Sequence, residues 1–157
     1  MTDRMASTAL PVKGRQKGTA LHAFRGAVLA LLVLLVPQFV LGMITNVSLP
    51  FPGKLNAGRA WDFALSQPVI LAHIVLGSLI VILAALSIVI GIMSRRRMPV
   101  VTSVLGFILV ALAWYSGDEF LDTGQSNLPS LGMAFSFLAA LIVYAVGYYA
   151  TSARRLA

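Results

Sequence analysis

Cysteine is absent from the 157 residues, which excludes disulfides, thiolate metal sites and thiol catalysis. Charge is scarce as well. Asp, Glu, Lys and Arg make up 11% of the chain, where a soluble domain carries about a quarter. Five residues are acidic and two are His. There is no HExxH, no phosphate-binding glycine loop and no Ser/His/Asp constellation, and the length leaves no room for a nucleotide domain. The sequence therefore reads as a binding or interaction protein rather than an enzyme.

What is present is apolar: 59% of the residues, with a mean hydropathy of +0.89. A disordered chain would be polar and poor in Leu, Ile and Val. Four runs are long enough to cross a bilayer, which takes about 20 residues: 26–45, 68–93, 99–115 and 131–151. None alternates as a barrel strand does, and inside lipid each backbone group must be paired within its own segment. The expected fold is an all-α integral membrane antiparallel four-helix bundle over residues 25–152, between a flexible basic tail (1–24) and a short tail (153–157). Pro68 and Pro99 suit first helical turns, Ser66 and Ser130 are candidate caps, and Ser116-Gly117 is an expected stop. Pro37, in mid-span, leaves the Val33 carbonyl without its usual donor, so a kink is expected there.

The net charge of +7 invites a nucleic-acid reading, which the distribution rejects. Arg4, Lys13, Arg15, Lys17, Arg25, Arg95, Arg96, Arg97, Arg154 and Arg155 fall on one side of the spans. Lys54 and Arg59 fall on the other, with Asp62, Asp118, Glu119 and Asp122. The positive-inside rule then places both termini in the cytoplasm. A cleaved signal peptide over residues 1–45 is disfavoured, because the basic tail is long and no Ala-x-Ala follows the apolar run. Asn46-Val47-Ser48 fits a glycosylation sequon but lies too near the span end to be persuasive.

Small residues recur at helical spacing: Gly77, Ala84 and Gly91; Ser103, Gly106, Ala113 and Gly117; Gly132, Ser136 and Ala140. In lipid, such stripes let helices approach closely, either within the chain or across a homodimer. Trp61, Phe63, Trp114 and Phe120 are expected as an aromatic belt at the outer interface, and Tyr144, Tyr148 and Tyr149 at the inner one. Pro50, Pro52 and Gly53 argue for an irregular outer loop, with a short amphipathic turn over residues 57–65 lying across the mouth.

Polar groups collect at that outer mouth. His73 lies inside the second span on the Gly77 face, and an intramembrane ionisable residue is a functional hypothesis by default. Gln38, Asn46, Asp118, Glu119 and Ser130 join it as candidate ligand-binding residues, and Met43 and Met133 as soft donors. His73 has three readings. It is a structural hydrogen-bonder to Asn46, Asp118 or a backbone carbonyl. It is a haem b ligand, with Met43 or Met133 or a second copy of the chain in a symmetric dimer supplying the other ligand, or a Cu(I) ligand together with Met43 and Met133, since thioethers suit Cu(I). Or it serves a proton relay, a quinone or a lipid head group. The acids 118, 119 and 122 read either as a solvated loop or, through Asp118, as a partner for His73.

The pattern Leu41-Gly42-Met43 with Asn46 and Pro50, Leu71-Ala72-His73 with Leu76-Gly77, Gly117 to Gly124, and Ser130 to Ala134 resembles a family of small four-span bacterial integral membrane proteins of uncharacterised activity. The resemblance covers most of residues 38–150. It implies the four-helix architecture and the outer cluster and supplies no mechanism. The functional expectation is an accessory subunit of a larger membrane complex, or a hydrophobic-ligand-binding protein, with its polar site at the extracytoplasmic mouth. The alternatives are a haem or copper redox protein using His73 and an oligomeric small transporter.

Overall fold

The computed structural model describes residues 12–51, 55–123 and 126–153, with side chains from residue 18 onward. Five helices follow in order: α1 (Val12–Ser48), α2 (Ala57–Ser66), α3 (Pro68–Met93), α4 (Arg97–Asp122) and α5 (Asn127–Ser152). Among the described residues there is no strand. Four helices, α1 from Gly18 onward, α3, α4 and α5, are long and apolar enough to cross a membrane. The chain is an all-α, multi-pass membrane bundle. Each long helix packs against two others, in the cyclic order α1, α3, α4, α5, and α2 lies across the ends of α3 and α4.

The outward faces explain the hydropathy. On α3, Leu71, Val75, Leu79, Ile82, Leu86 and Val89 are exposed at steps of three and four, an apolar stripe left uncovered among the described residues. Equivalent stripes run along α1, α4 and α5. In water this would be an aggregation-prone surface; in a bilayer it is solvated by lipid.

Glycines set the seams between helices. A Cβ on Gly106 would overlap the Tyr144 ring, and one on Gly147 would overlap the Thr102 side chain. Gly132 faces Ser116, and Gly91 faces Pro99 and Ser103. These pairings run antiparallel between α4 and α5 and between α3 and α4. Ser103, fully buried, donates to the Ser87 carbonyl across the α3–α4 seam at 2.8 Å. Gly91, Gly106 and Gly132 of the small-residue stripes thus meet neighbouring helices of the same chain.

Several expected boundaries move. α1 begins at Val12, well before residue 26. Its early turns carry Ala20 and Phe24 in phase with Val28, Leu31 and Leu35, all buried, so residues 12–24 continue the helix instead of forming a tail. Residues 1–11, and with them Arg4, lie outside the described residues, as do Lys54, Gly124, Arg154 and Arg155. The helix also runs on through Pro37. α4 does not stop at Ser116-Gly117 but continues to Asp122, because both residues lie against α5 and the extra turns bury Leu121. The acids 118, 119 and 122 are therefore helical. The residue capping α3 is Gln67 and that capping α5 is Ser126, in place of Ser66 and Ser130. Ser66 instead ends α2, the short amphipathic segment expected over residues 57–65. Tyr144 is not an interfacial anchor: it is fully buried in the central core, in phase with Ala140, Gly147 and Thr151. Tyr149, one face around, is exposed.

Candidate functional site

The core is divided along the bundle axis. Toward the end that holds the start of α1 and the end of α5, Phe24, Val28, Leu31, Ala84 and Tyr144 fill the centre. Toward the opposite end a second cluster forms around Ala60 and Ala64 of α2, Ile70 and Leu121, with Phe51, Trp61 and Phe120 against it. Between the two lies a cavity of about 250 Å³. Its floor is one residue from each spanning helix, Leu35, Ile80, Val110 and Ala140, all of which also belong to the central core. Phe51, Trp61, Ile70, Phe120 and Leu121 of the second cluster wall it from above.

α2 completes that wall. Asn56 precedes it in extended conformation, and its side-chain oxygen accepts from the Arg59 backbone N–H at 3.1 Å. Ala60 and Ala64, one turn apart, turn to the bundle, while Asp62 and Leu65 turn out. We expect Asn56→Ala to remove about 1 kcal/mol from α2. Amide hydrogen exchange reads this as faster exchange across residues 59–66, with α3 unchanged. Equal protection in the variant would show that packing alone holds the helix.

Seven of the eight sequence-derived candidates line this one cavity: Gln38, Met43 and Asn46 from α1, His73 from α3, Asp118 from α4, and Ser130 and Met133 from α5. Glu119 does not; its carbonyl closes the end of α4, accepting from the Thr123 backbone N–H and hydroxyl. The partner of His73 is neither Asn46 nor Asp118. It is Gln38, whose Nε2 lies 3.4 Å from His73 Nε2. His22, the other imidazole, donates from Nδ1 to the Gly18 carbonyl, near the start of α1 and far along the bundle from His73.

Two glycines make the Gln38–His73 pair fit. A Cβ on Gly77 would come within 2.9 Å of Gln38 Nε2, and one on Gly42 within 3.0 Å of His73 Cε1. Gln38 thus rests on the glycine one turn beyond His73, and His73 on the glycine one turn beyond Gln38. The two four-residue spacings mesh head to tail, as antiparallel α1 and α3 require. That reciprocity is visible in the sequence as Gln38-x3-Gly42 and His73-x3-Gly77, and is the signal that sequence reasoning missed.

The polar groups are incompletely satisfied. Among the described residues, five buried side-chain polar atoms have no hydrogen-bond partner, and three of them, Gln38 Oε1, Thr45 Oγ1 and His73 Nδ1, belong to residues lining the cavity. Each such group costs on the order of 1–3 kcal/mol. The rest of the lining is mainly apolar or aromatic, including Phe39 stacked on Phe137 across the α1–α5 seam, with centroids 5.4 Å apart. Trp114 donates to Ser78 Oγ at 3.4 Å while lining the cavity from α4. Among the described residues no three His, Cys, Asp or Glu side chains gather as a metal site. Comparison with known proteins gives no match: no family model, no curated protein and no solved structure is similar to the chain.

Proposed function

We propose that this is a small polytopic protein of the bacterial plasma membrane that binds a hydrophobic ligand in the cavity of its extracytoplasmic half. One observation carries the reading: an apolar, aromatic-walled cavity whose few polar residues hold unpaired buried atoms. Concave, mostly apolar sites with a small number of placed polar groups are the ordinary form of a small-molecule site. The orientation, with both termini cytoplasmic, rests on charge. Arg25, Arg95, Arg96 and Arg97 belong to the end where α1 starts, and Asp62, Asp118, Glu119 and Asp122 to the cavity end. Membership of the four-span bacterial family belongs to the same proposal.

Ligand binding is favoured over a role as an accessory subunit or homodimer because Gly77, Gly91, Gly106 and Gly132 of the small-residue stripes meet side chains of the chain's own neighbouring helices, which leaves less of them to dock a partner helix. The test is to purify the protein in mild detergent, extract it with organic solvent and analyse the extract by mass spectrometry. An apolar molecule near one per chain is expected, and it should be lost on mutation of cavity residues. A protein that yields only bulk lipid, and that carries a stoichiometric protein partner instead, would reverse the choice.

Copper has one observation in its favour: His73, Met43 and Met133 all line the same cavity. Metal analysis of wild type against His73→Ala tests it. Bound copper that the variant loses would replace the ligand reading.

A further inference from the structure

The walls of the cavity are held unequally, and the least held faces lipid; this step rests on the ligand-binding reading above. The roof is packed: Phe51 meets Phe63 and Phe120 with ring centroids 5.1 and 5.6 Å apart, and Ala60 and Ala64 of α2 are fully buried. The α1–α3 wall is held by the Gln38–His73 contact and the two glycines that seat it. The α3–α4 wall is tied by Trp114, whose indole N–H donates to Ser78. On the α4–α5 wall Gly132 meets Ser116 and Gly117 meets Met133.

The α1–α5 seam is the least extensive of the four. The interhelical hydrogen bonds and glycine contacts around the cavity belong to the other walls. What closes this one is the Phe39–Phe137 stack. Phe39 and Met43 line the cavity and are nevertheless 49% and 45% exposed, so one layer of side chains separates the chamber from lipid. The antiparallel register set by the stack puts Met43 opposite Met133 one turn outward, and Asn46 opposite Ser130 beyond them; all four line the cavity. Thioether side chains are unbranched and adapt their shape, so this wall yields without breaking a polar contact. Pro37 supplies a pivot: it offers no N–H to the Val33 carbonyl, so the outer part of α1 is tied to the inner part by one bond fewer. We infer that the ligand enters sideways from the bilayer, through a portal between α1 and α5 gated by the Phe39–Phe137 pair. A portal bounded by Phe and Met passes a neutral molecule dissolved in the bilayer and refuses an ion, which would have to shed its hydration to cross.

The absence of cysteine makes the portal testable, since an introduced pair is unique in the chain. Phe39→Cys/Phe137→Cys is made in the full chain, reconstituted in vesicles of neutral lipid, and joined with a short, thiol-cleavable bis-methanethiosulfonate. Both Trp residues line the cavity, so ring-brominated octylbenzene reports occupancy by quenching them. Before tethering, and after capping the same cysteines with a monofunctional methanethiosulfonate, quenching should saturate. Tethered first, the pair should exclude the probe and leave only linear quenching from the surrounding lipid. Tethered after loading, it should retain the probe through a wash with protein-free vesicles, and reductant should undo both effects. If this pair fails to insert, Met43→Cys/Met133→Cys crosses the same seam one turn outward. Saturable quenching that ignores the tether would overturn the portal and leave the ligand-binding reading in place, as would expulsion of a probe already bound. Linear, unsaturable quenching before any tethering would overturn both.

Discussion

Gly106→Val is expected to separate α4 from α5 and to unfold the bundle at a temperature at which the wild type is intact. The argument starts from the most extensive helix–helix contact in the molecule, between α4 and α5. Along that seam a Cβ on Gly106 overlaps the Tyr144 ring, so even alanine requires movement. Tyr144 has no room to move: it is 0% exposed and sits within the central core beside Leu31, Ala84 and Ala140. Overpacking a dense core by one methyl costs about 1–3 kcal/mol. Valine adds two more carbons and a stiff χ1, so the backbones must part. In lipid, no hydrophobic force draws the helices back once close packing is lost. Thermal unfolding in mild detergent should show a drop in midpoint for Gly106→Ala and no cooperative transition for Gly106→Val. Tyr144→Leu should restore part of the loss in the Gly106→Ala background, since it removes the colliding ring. A Gly106→Val protein that melts with the wild type would show that this seam is not what holds the bundle together.

The spans themselves were legible because the bilayer imposes a minimum apolar length, and Pro68 marks the first residue of α3 as its fixed φ predicts. Ends set by tertiary contact were not. Ser116-Gly117 carries a local stop signal, but α5 lies against both residues and the helix continues. The polar residues before Arg25 mask an inward stripe of Ala20 and Phe24 that packing converts into helix. The amphipathic turn expected over residues 57–65 was legible and is α2, capped by Asn56 and with Ala60 and Ala64 buried. Tyr144 was misplaced because its position near a span end suggests an interface, whereas its phase with Ala140 and Gly147 puts it inside.

At the site, the residue types were legible and the pairing was not. A His and a Gln within apolar spans stand out, because lipid penalises them unless they serve a purpose. Which groups meet depends on the register between α1 and α3, set by two glycines that look individually unremarkable in composition. Gly42 and Gly77 bring Gln38 to His73, and leave Asn46 and Asp118 as lining rather than as partners. The cavity arises where the lining side chains are small, at Ala113 and Gly117, and no local pattern announces a shared absence.

Filling that space should separate binding from stability. Ala113 lines the cavity from α4, and its neighbour Leu112 is 47% exposed on the lipid-facing side of the same helix. Ala113→Phe places a ring where a ligand would lie. An apolar side chain entering an apolar void removes no hydrogen bond, and cavity-filling changes commonly add about 0.5–2 kcal/mol of stability. The melting midpoint should therefore hold or rise. Saturable quenching of Trp61 and Trp114 by a ring-brominated alkylbenzene in vesicles of neutral lipid, expected of the wild type on the ligand-binding reading, should weaken by on the order of a hundredfold, equivalent to about 2.7 kcal/mol, because the probe and the new ring compete for one volume. Leu112→Phe places the same ring one residue away, into lipid, and should leave the quenching curve as in wild type. A general disturbance of α4 would move both variants together, and a probe that binds at the lipid surface would respond to Leu112→Phe instead. Only occupation of the chamber behind His73 and Gln38 predicts that Ala113→Phe alone loses the probe while the fold stands.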